Sequence, residues 1–284
     1  MNGIMIQGTS SDSGKSFIVT GLCRIFADKG MRVCPFKSQN MSNNSCLTRD
    51  NLEMSVAQAI QAQAAGLAPE IFMNPILLKP THEKSSRIIL NGREFTRPAE
   101  KNFYYHEFTE THGIKAVREA LSYIQEHFDA VIIEGAGSPA EINLNAHEIV
   151  NMRVAREADV PVVLVADVDR GGSLASIVGT LELVGADRER VKGIIFNKFR
   201  GDINLFTDAV TWTENYTGVK VLGVVPYARD IKIPAEDSLS ENGISTGNFD
   251  SRTFDEMAKL LAQSLDIDFI TELVHHEGTM PPRL

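Results

Sequence analysis

A run of nine residues near the start of the chain has the composition and spacing of a phosphate-binding loop. Small residues let backbone N–H groups turn inward around an anion, and a following helix adds its positive dipole end. The run ends in Gly-Lys-Ser, so we predict Lys15 on the terminal phosphates of ATP and the Ser16 hydroxyl on Mg²⁺. Five residues separate Gly8 from Gly14, where the common form has four. The nine residues are Gly8, Thr9, Ser10, Ser11, Asp12, Ser13, Gly14, Lys15 and Ser16.

Two charged residues that follow predicted strands are expected to face the same phosphates. Glu134 ends the apolar run Ala130–Glu134 and precedes Gly135-Ala136-Gly137, which is typical of an acid that holds Mg²⁺ beside a nucleotide. The alternative is a strand-end glutamate before an ordinary turn. Lys37 follows the predicted strand Arg32–Phe36 and would bridge a phosphoryl donor and an anionic acceptor. A solvated loop lysine is the alternative for Lys37.

Two asparagines follow other predicted strands. Asn197 closes the run Val191–Phe196, and an amide at that place can donate to and accept from a purine edge. A turn asparagine is an equal alternative. Asn143 belongs to a polar cluster after Glu134 that suits a polar ligand or, equally, a surface loop.

A third strand end carries acids, an arginine and glycines. Asp169 and Arg170 follow the predicted strand Pro161–Asp167 and indicate a site at the ligand-binding edge of a sheet. The alternative is that Asp167 or Asp169 only caps the helix that begins near Ser173.

The elements that must position these residues alternate along the chain. Runs rich in Val, Ile and Leu alternate with amphipathic stretches, which predicts an α/β fold with a mostly parallel sheet and helices on both faces. The predicted strands are Gly3–Gln7, Arg32–Phe36, Ala130–Glu134, Pro161–Asp167, Val191–Phe196 and Val219–Val225. The predicted helices are Ser16–Lys29, Ser55–Ala65, Ile114–His127, Ile149–Ala158, Ser173–Val184 and Ile203–Tyr216. Residues 37–110 read as an insertion at the carboxyl edge of the sheet.

The character of the chain changes near residue 235. We expect a nucleotide-binding domain over 1–235, followed over 236–284 by a linker, a helix and a tail. Glu236–Asp250 is polar with two glycines, and Phe254–Leu265 follows helical spacing without the basic flanks of a membrane-surface helix. This helix should therefore pack on the body of the protein, and the tail from His275 should be disordered.

The composition excludes several classes of protein. A net charge of −9 argues against bulk nucleic-acid binding. No apolar run approaches the ~20 residues that span a membrane, and no secretory signal is visible. Cys23, Cys34 and Cys46 are an odd number without metal-site spacing, so we expect reduced thiols and a cytoplasmic protein.

Several longer blocks resemble the cobyric acid synthase family. The long and unusual ones are FKSQNMS at 36–42 and EGAGSPAEINL at 134–144. The matching blocks, in family order, are Gln7–Ser16, Pro35–Ser42, Asn74–Pro80, Glu134–Leu144, Val165–Gly172, Asn197–Asp202 and Leu222–Tyr227. Wider relatives are dethiobiotin synthetase and the cobyrinic acid diamide synthases, which share the odd loop spacing. The resemblance therefore implies a dethiobiotin-synthetase-like P-loop fold.

The resemblance also implies an activity. The family is a carbon–nitrogen ligase of cobalamin biosynthesis that uses ATP to amidate corrin side-chain carboxylates, from cobyrinic a,c-diamide to cobyric acid, through acyl phosphates. Lys15, Lys37 and Glu134 would be catalytic, and Ser16 and Glu134 would hold Mg²⁺. The implied substrate-binding residues are Gln39, Asn40, Asn143, Asp169 and Arg170. A polyanionic substrate needs cationic partners, and the candidates are Lys79, Lys84, Arg87, Arg170 and Lys198. The alternative for each of them is an ordinary surface charge.

The chain departs from the family in one respect. The usual enzyme carries a C-terminal glutaminase domain with a nucleophilic cysteine, and none of the cysteines here has that context. We therefore expect free ammonia as the nitrogen source, delivered by a glutaminase domain or chain where one is present. The sequence leaves the oligomeric state open, with a homodimer as one alternative. We do not expect the protein to bind nucleic acid or a membrane.

Two other functions remain open alternatives. A regulatory ATPase of the partition or septum-site type would carry a second lysine where Thr9 stands. A dethiobiotin-synthetase-like ligase would act on a small substrate, which the long 37–110 segment argues against.

Overall fold

A computed structural model describes residues 1–81, 85–98, 100, 103–145, 147–229, 231 and 250–275. The strands are β1 Gly3–Gly8, β2 Val33–Phe36, β3 Gln39–Met41, β4 Ser45–Leu47, β5 Glu53–Ser55, β6 Ile76–Pro80, β7 Ser86–Leu90, β8 Arg93–Glu94, β9 Ala130–Glu134, β10 Val162–Asp167, β11 Val191–Phe199 and β12 Val221–Pro226. The α-helices are α1 Lys15–Asp28, α2 Val56–Ala64, α3 Ile114–His127, α4 Ile142–Asn145, α5 Met152–Ala158, α6 Ser173–Leu183, α7 Thr207–Thr217, α8 Ser251–Ser264 and α9 Ile267–Val274. A π-helix covers Tyr104–Gly113, and 3₁₀ turns cover Ile71–Met73, Gly185–Arg190 and Ile203–Phe206.

The main sheet has six parallel strands in the order β12-β11-β10-β1-β9-β2. Successive residues of β1 enter opposite cores, as the two-residue period of a strand requires. Ile4 and Ile6 pack with α1, α8 and α9, whereas Met5 packs with α3, α5 and α6. The parallel α/β fold with helices on both faces is therefore confirmed.

The predicted elements of the main sheet coincide with the observed ones to within a few residues. The predicted helix Ile149–Ala158 begins only at Met152, because the Glu148 carboxylate accepts the backbone N–H groups of residues 150, 151 and 153. The predicted helix Ile203–Tyr216 starts instead with a 3₁₀ turn before α7.

The segment predicted as an irregular insertion contains a second sheet. Its order is β3-β6-β7-β8, with β3 and β6 parallel and the other pairs antiparallel. β4 and β5 form a separate antiparallel pair before α2. Lys37 follows β2 directly, and its backbone N–H donates to the Met73 carbonyl, so the insertion begins where the main sheet presents its carboxyl edge.

The C-terminal helix α8 packs against α1. A Cβ on Gly21 would lie 2.4 Å from Leu261 Cδ1, so this glycine permits the close approach of the two helices. Arg24 and Asp255 add an ion pair at 2.7 Å. The expected domain border at 235, most of the linker and the tail beyond His275 lie outside the described residues. No helix in the described ranges is both long and apolar enough to cross a bilayer.

Candidate functional site

The glycine-rich run forms the turn between β1 and α1. Gly14 has a φ of 94°, and a Cβ there would lie 2.0 Å from the Asn197 Nδ2, so only glycine fits. Lys15 is 7 % exposed, and its Nζ donates to the carbonyls of Ser10 at 3.2 Å and Gly137 at 3.1 Å. The ammonium therefore lies between this loop and the glycine turn after β9.

Glu134 lies at the centre of the site. The parallel register places it beside Ile6, at the end of β9 next to the loop. Its Oε1 accepts from the Ser16 hydroxyl at 2.8 Å and from the Lys37 ammonium at 2.9 Å. The side chains of Lys37 and Glu134 are 3 % and 1 % exposed. Lys37 is thus a buried ion-pair partner and not a solvated loop lysine.

The charges around Glu134 keep it ionised. Burial opposes ionisation, but Lys37, the Ser16 hydroxyl and Lys15 together hold the pKa of Glu134 below its ordinary value. Two ammonium groups surround one carboxylate, which leaves a net positive charge facing the loop. A bound phosphate group would neutralise this positive charge.

Gln61 is a site residue that the sequence did not single out. It lies on α2 of the insertion, is 1 % exposed, and its Nε2 donates to Glu134 Oε2. The two residues are 73 positions apart in the chain. The only sequence signal was the unusual richness of α2 in alanine and glutamine, which placed polar amides on a buried helix.

The donor set at this place suits Mg²⁺ and a nucleotide phosphate. Mg²⁺ prefers oxygen ligands and is usually held by one or two carboxylates together with phosphate oxygens. Ser16 Oγ and Glu134 Oε1 are such donors. Ser13 Oγ is buried in the loop and has no hydrogen-bond partner among the described residues, which suits a loop shaped around a phosphate. The ATP and Mg²⁺ roles of these residues remain predictions.

Residues at and just after the ends of β10 and β11 contact the other side of the phosphate-binding loop. Asn197 donates from Nδ2 to the Ser13 carbonyl at 2.9 Å, and Lys198 donates to the Asp12 carbonyl. Arg170 pairs with the Asp12 carboxylate at 3.1 Å. Asn197 is 4 % exposed, and its amide N–H group is hydrogen-bonded to the loop backbone. The predicted contact of Asn197 with a purine base stays a prediction.

A cavity of about 390 Å³ joins the loop to the insertion. The phosphate side contributes Asp12, Lys15 and Lys37, and the insertion contributes Gln39 and Met41, together with the two tyrosines of the π-helix, 104 and 105. The predicted residues Lys15, Lys37 and Gln39 therefore meet at one space.

Four of the residues implied by the resemblance lie elsewhere. Asn40 is 1 % exposed, and its amide atoms have no partner among the described residues. Asn143 lies on α4 and is exposed. Asp169 forms a two-point ion pair with Arg200, and Arg170 points to Asp12. Their predicted contact with substrate remains a prediction.

The candidate cations for a polyanionic substrate already have acidic partners where the structure describes them. Lys79 pairs with Glu53, Arg87 with Glu94, Arg170 with both Asp12 and Asp167, and Lys198 with Asp167. Lys84 lies outside the described residues. An anion at any of these four would have to compete with a carboxylate that is already paired, and their contact with a polyanionic substrate remains a prediction.

Residues 4–240 match the family model of the CobQ/CobB/MinD/ParA nucleotide binding domain, CbiA. The chain belongs to the CbiA family. It is 53% identical to the cobyric acid synthase of Geobacillus sp. (strain WCH70), over 86% of this chain and 48% of that protein. It is 47% identical to the enzyme of Geobacillus thermodenitrificans, over 98% of this chain and 57% of the relative. The probable cobyric acid synthase of Methanothermobacter thermautotrophicus is 52% identical, over 84% and 47%.

These relatives confirm the resemblance to cobyric acid synthases and the P-loop fold. The family model covers CobQ and CobB together with MinD and ParA, so the family alone does not separate an enzyme of the first kind from a regulatory ATPase of the second. The chain spans about half the length of the curated relatives it matches.

Proposed function

We propose that this chain is the ATP-dependent synthetase half of a cobyric acid synthase, which converts cobyrinic a,c-diamide to cobyric acid. One observation supports this most strongly: Lys15 and Lys37 border the same cavity as Gln39 of the insertion, while Glu134 links Lys37 to Ser16. Phosphate-binding groups and a candidate substrate wall thus share one space. A regulatory ATPase needs no such wall.

The proposed chemistry has two steps. An oxygen of a corrin side-chain carboxylate attacks the γ-phosphorus of ATP, the bond to the bridging oxygen breaks, and ADP leaves. Ammonia then attacks the acyl carbon, the carbon–oxygen bond breaks, inorganic phosphate leaves and the nitrogen loses a proton. Lys15 and Lys37 would stabilise the charge on the transferring phosphoryl group.

The chain's own residues would prepare the site for these steps. Ser16 and Glu134 would hold Mg²⁺, which when bound neutralises phosphate charge. Glu134 keeps Lys37 in place, and Gln61 fixes the second carboxylate oxygen. Because Lys37, Gln61 and Glu134 are buried, their interactions are screened by water much less than surface pairs are.

The size of the cavity fits one arm of a large substrate. Ligand pockets that bury a whole drug-sized molecule measure about 300–1,000 Å³. The cavity here, of about 390 Å³, lies near the lower end of that range. It would admit one carboxylated side chain and the terminal phosphate, and the macrocycle would stay at the rim beside Met41, which is 49 % exposed.

The three cysteines support free ammonia as the nitrogen source. Burial raises the pKa of the Cys23 and Cys34 thiols, so neither is a reactive thiolate. Burial, with the Glu53 carboxylate, raises the pKa of Cys46 to about 11. A glutaminase nucleophile needs the opposite shift. Amidation by this chain alone should therefore climb with pH as ammonium loses its proton.

The test is amidation by the purified chain with Mg·ATP, ammonium chloride and cobyrinic a,c-diamide, followed by mass. We expect ADP and amidated corrinoids in matched amounts, and no product with glutamine alone. Separate arms with DNA, lipid vesicles or a small diamine test the regulatory and dethiobiotin-type alternatives. ATP hydrolysis that responds to one of those ligands and not to the corrinoid would overturn the proposal.

A further inference from the structure

The last residues of β11 hold the backbone of the phosphate-binding loop. Asn197 Nδ2 donates to the Ser13 carbonyl at 2.9 Å, and Lys198 Nζ donates to the Asp12 carbonyl. The two accepting carbonyls belong to consecutive peptide units. The absence of a side chain at Gly14 permits this approach, since a Cβ there would lie 2.0 Å from Asn197 Nδ2. Two neighbouring side chains of one strand thus fix two neighbouring peptide units of the loop.

The two side chains that reach the loop are themselves held in place. Asn197 pairs in the sheet with Asp167 of β10. The buried carboxylate of Asp167 accepts a hydrogen bond from the Lys198 ammonium at 2.9 Å. Because Asp167 balances the charge of this ammonium, Lys198 adds little net charge to the loop. Its contact with the loop is therefore mainly a matter of geometry.

The fixed carbonyls determine where the neighbouring N–H groups point. A trans peptide unit is planar, so its C=O and N–H bonds point in opposite directions. The carbonyls of Asp12 and Ser13 turn toward β11, and the N–H groups of Ser13 and Gly14 therefore point away from it. Neither of these N–H groups has a hydrogen-bond partner among the described residues. Successive backbone donors without partners form the kind of concavity that binds an anion.

Other donors lie close to this part of the loop. A Cβ on Gly8 would lie 2.2 Å from Ser13 Oγ and 3.0 Å from Lys15 Nζ, so the hydroxyl and the ammonium are close to each other. Ser13 Oγ is buried and also lacks a partner in the described part of the chain. The loop thus presents several donors that a phosphate group could satisfy.

We propose that Asn197 and Lys198 are positioning residues, which hold residues 12–14 with their N–H groups facing the phosphates of ATP. Phosphate binding then depends on Asn197 whatever base the nucleotide carries. This role differs from the contact with a purine base that the sequence predicted for Asn197. The inference rests on the proposed function for the identity of the nucleotide.

A ligand without a base separates the two roles of Asn197. Inorganic tripolyphosphate carries the phosphates of ATP without base or ribose. Calorimetry measures the dissociation constants of its Mg²⁺ complex and of Mg·ATP. Asn197→Ala should weaken both by the same factor, about 5- to 10-fold, the value of one hydrogen bond. A role in reading the base would weaken Mg·ATP alone. Asn204→Ala, at an exposed asparagine beyond β11, is the matched control and should change neither constant.

Lys198→Met tests the second contact with the loop. The substitution keeps the length of the side chain and removes the donor, so we expect tripolyphosphate binding to weaken at least as much. Arg200→Met removes one positive charge from the same edge of the sheet, where Arg200 pairs with Asp169 and not with the loop. It controls for charge and should leave tripolyphosphate binding unchanged. A partly unfolded variant would bind at fewer sites per chain with the parental dissociation constant, which separates positioning from a loss of fold.

The outcomes that overturn the inference are distinct from a failure of the proposed function. If Asn197→Ala does not fold, Lys198→Met decides. An unchanged tripolyphosphate dissociation constant in either folded variant overturns the inference, and an equal loss in Arg200→Met overturns the positioning role of Lys198. A parent that binds Mg·ATP but not tripolyphosphate also overturns it, since the affinity then comes from the nucleoside. These results leave corrinoid amidation standing, whereas a parent that binds neither ligand overturns the proposed function as well.

Discussion

The carboxyl edge of the main sheet carries two charged regions that differ sharply in burial. At the ends of β2 and β9, Lys37 and Glu134 are 3 % and 1 % exposed and share their contacts with the phosphate-binding loop. In the loops just after β10 and β11, Asp169 and Arg200 are 33 % and 39 % exposed and pair mainly with each other. Exposed ion pairs contribute little to the stability of the folded protein. Removing one partner of a buried pair, by contrast, strongly destabilises the fold. Burial, more than charge at a strand end, therefore separates the candidate catalytic region from a surface network.

The largest expected effect lies in the buried region. Lys15→Ala removes the ammonium that would face the transferring phosphoryl group. We expect turnover in the corrinoid amidation assay to fall on the order of 10³-fold. The matched control is Lys259→Ala on α8, away from the cavity, which should keep the parental rate. Parental turnover in Lys15→Ala would sink the assignment of the loop.

Glu134→Gln should produce the second largest effect. The amide keeps the shape but loses the charge that would hold Mg²⁺ and pairs with Lys37. We expect turnover to fall about 100-fold and the Mg²⁺ requirement to rise. A Mg²⁺ titration that overlays the parental curve would show that Glu134 has another role.

The Glu134 carboxylate should also make the free energy of unfolding depend on pH in acid. Its pKa is lowered from 4.5, so its contribution is present above that pH and is lost as the pH falls through the lowered folded-state value. Urea unfolding from pH 7 downward should show the stability advantage of the parent over Glu134→Gln shrinking only in acid. An advantage that stays constant below pH 4.5 would contradict this.

The smallest expected effect lies in the exposed region. Asp169→Asn breaks the pair with Arg200, and we expect kcat and KM to change by less than about 2-fold. A large rise in the KM of the corrinoid would restore the substrate role that the resemblance implied for Asp169. That result would also show that exposure alone does not separate the two regions.

The sequence predicted the parts of the molecule that depend on local pattern. The parallel strands, the loop before α1 and the place of Glu134 follow from apolar runs and glycine spacing. Gln61 and Tyr104 were missed because their partners, Glu134 and Gln39, lie 73 and 65 positions away in the chain. Periodicity shows that a residue is buried but does not show which polar group it meets. The sheet of the insertion was also missed, because β3 and β8 are only three and two residues long and mostly polar, although β6 and β7 each carry a run of three apolar residues.

The fate of one oxygen atom tests the central claim most directly. Cobyrinic a,c-diamide labelled with oxygen-18 in its carboxylates is incubated with the chain, Mg·ATP and ammonia. If the carboxylate attacks the γ-phosphorus and ammonia then displaces phosphate, one labelled oxygen should appear in inorganic phosphate for each amide formed. Amidation accompanied by unlabelled phosphate would contradict the acyl-phosphate route and the roles given to Lys15 and Lys37.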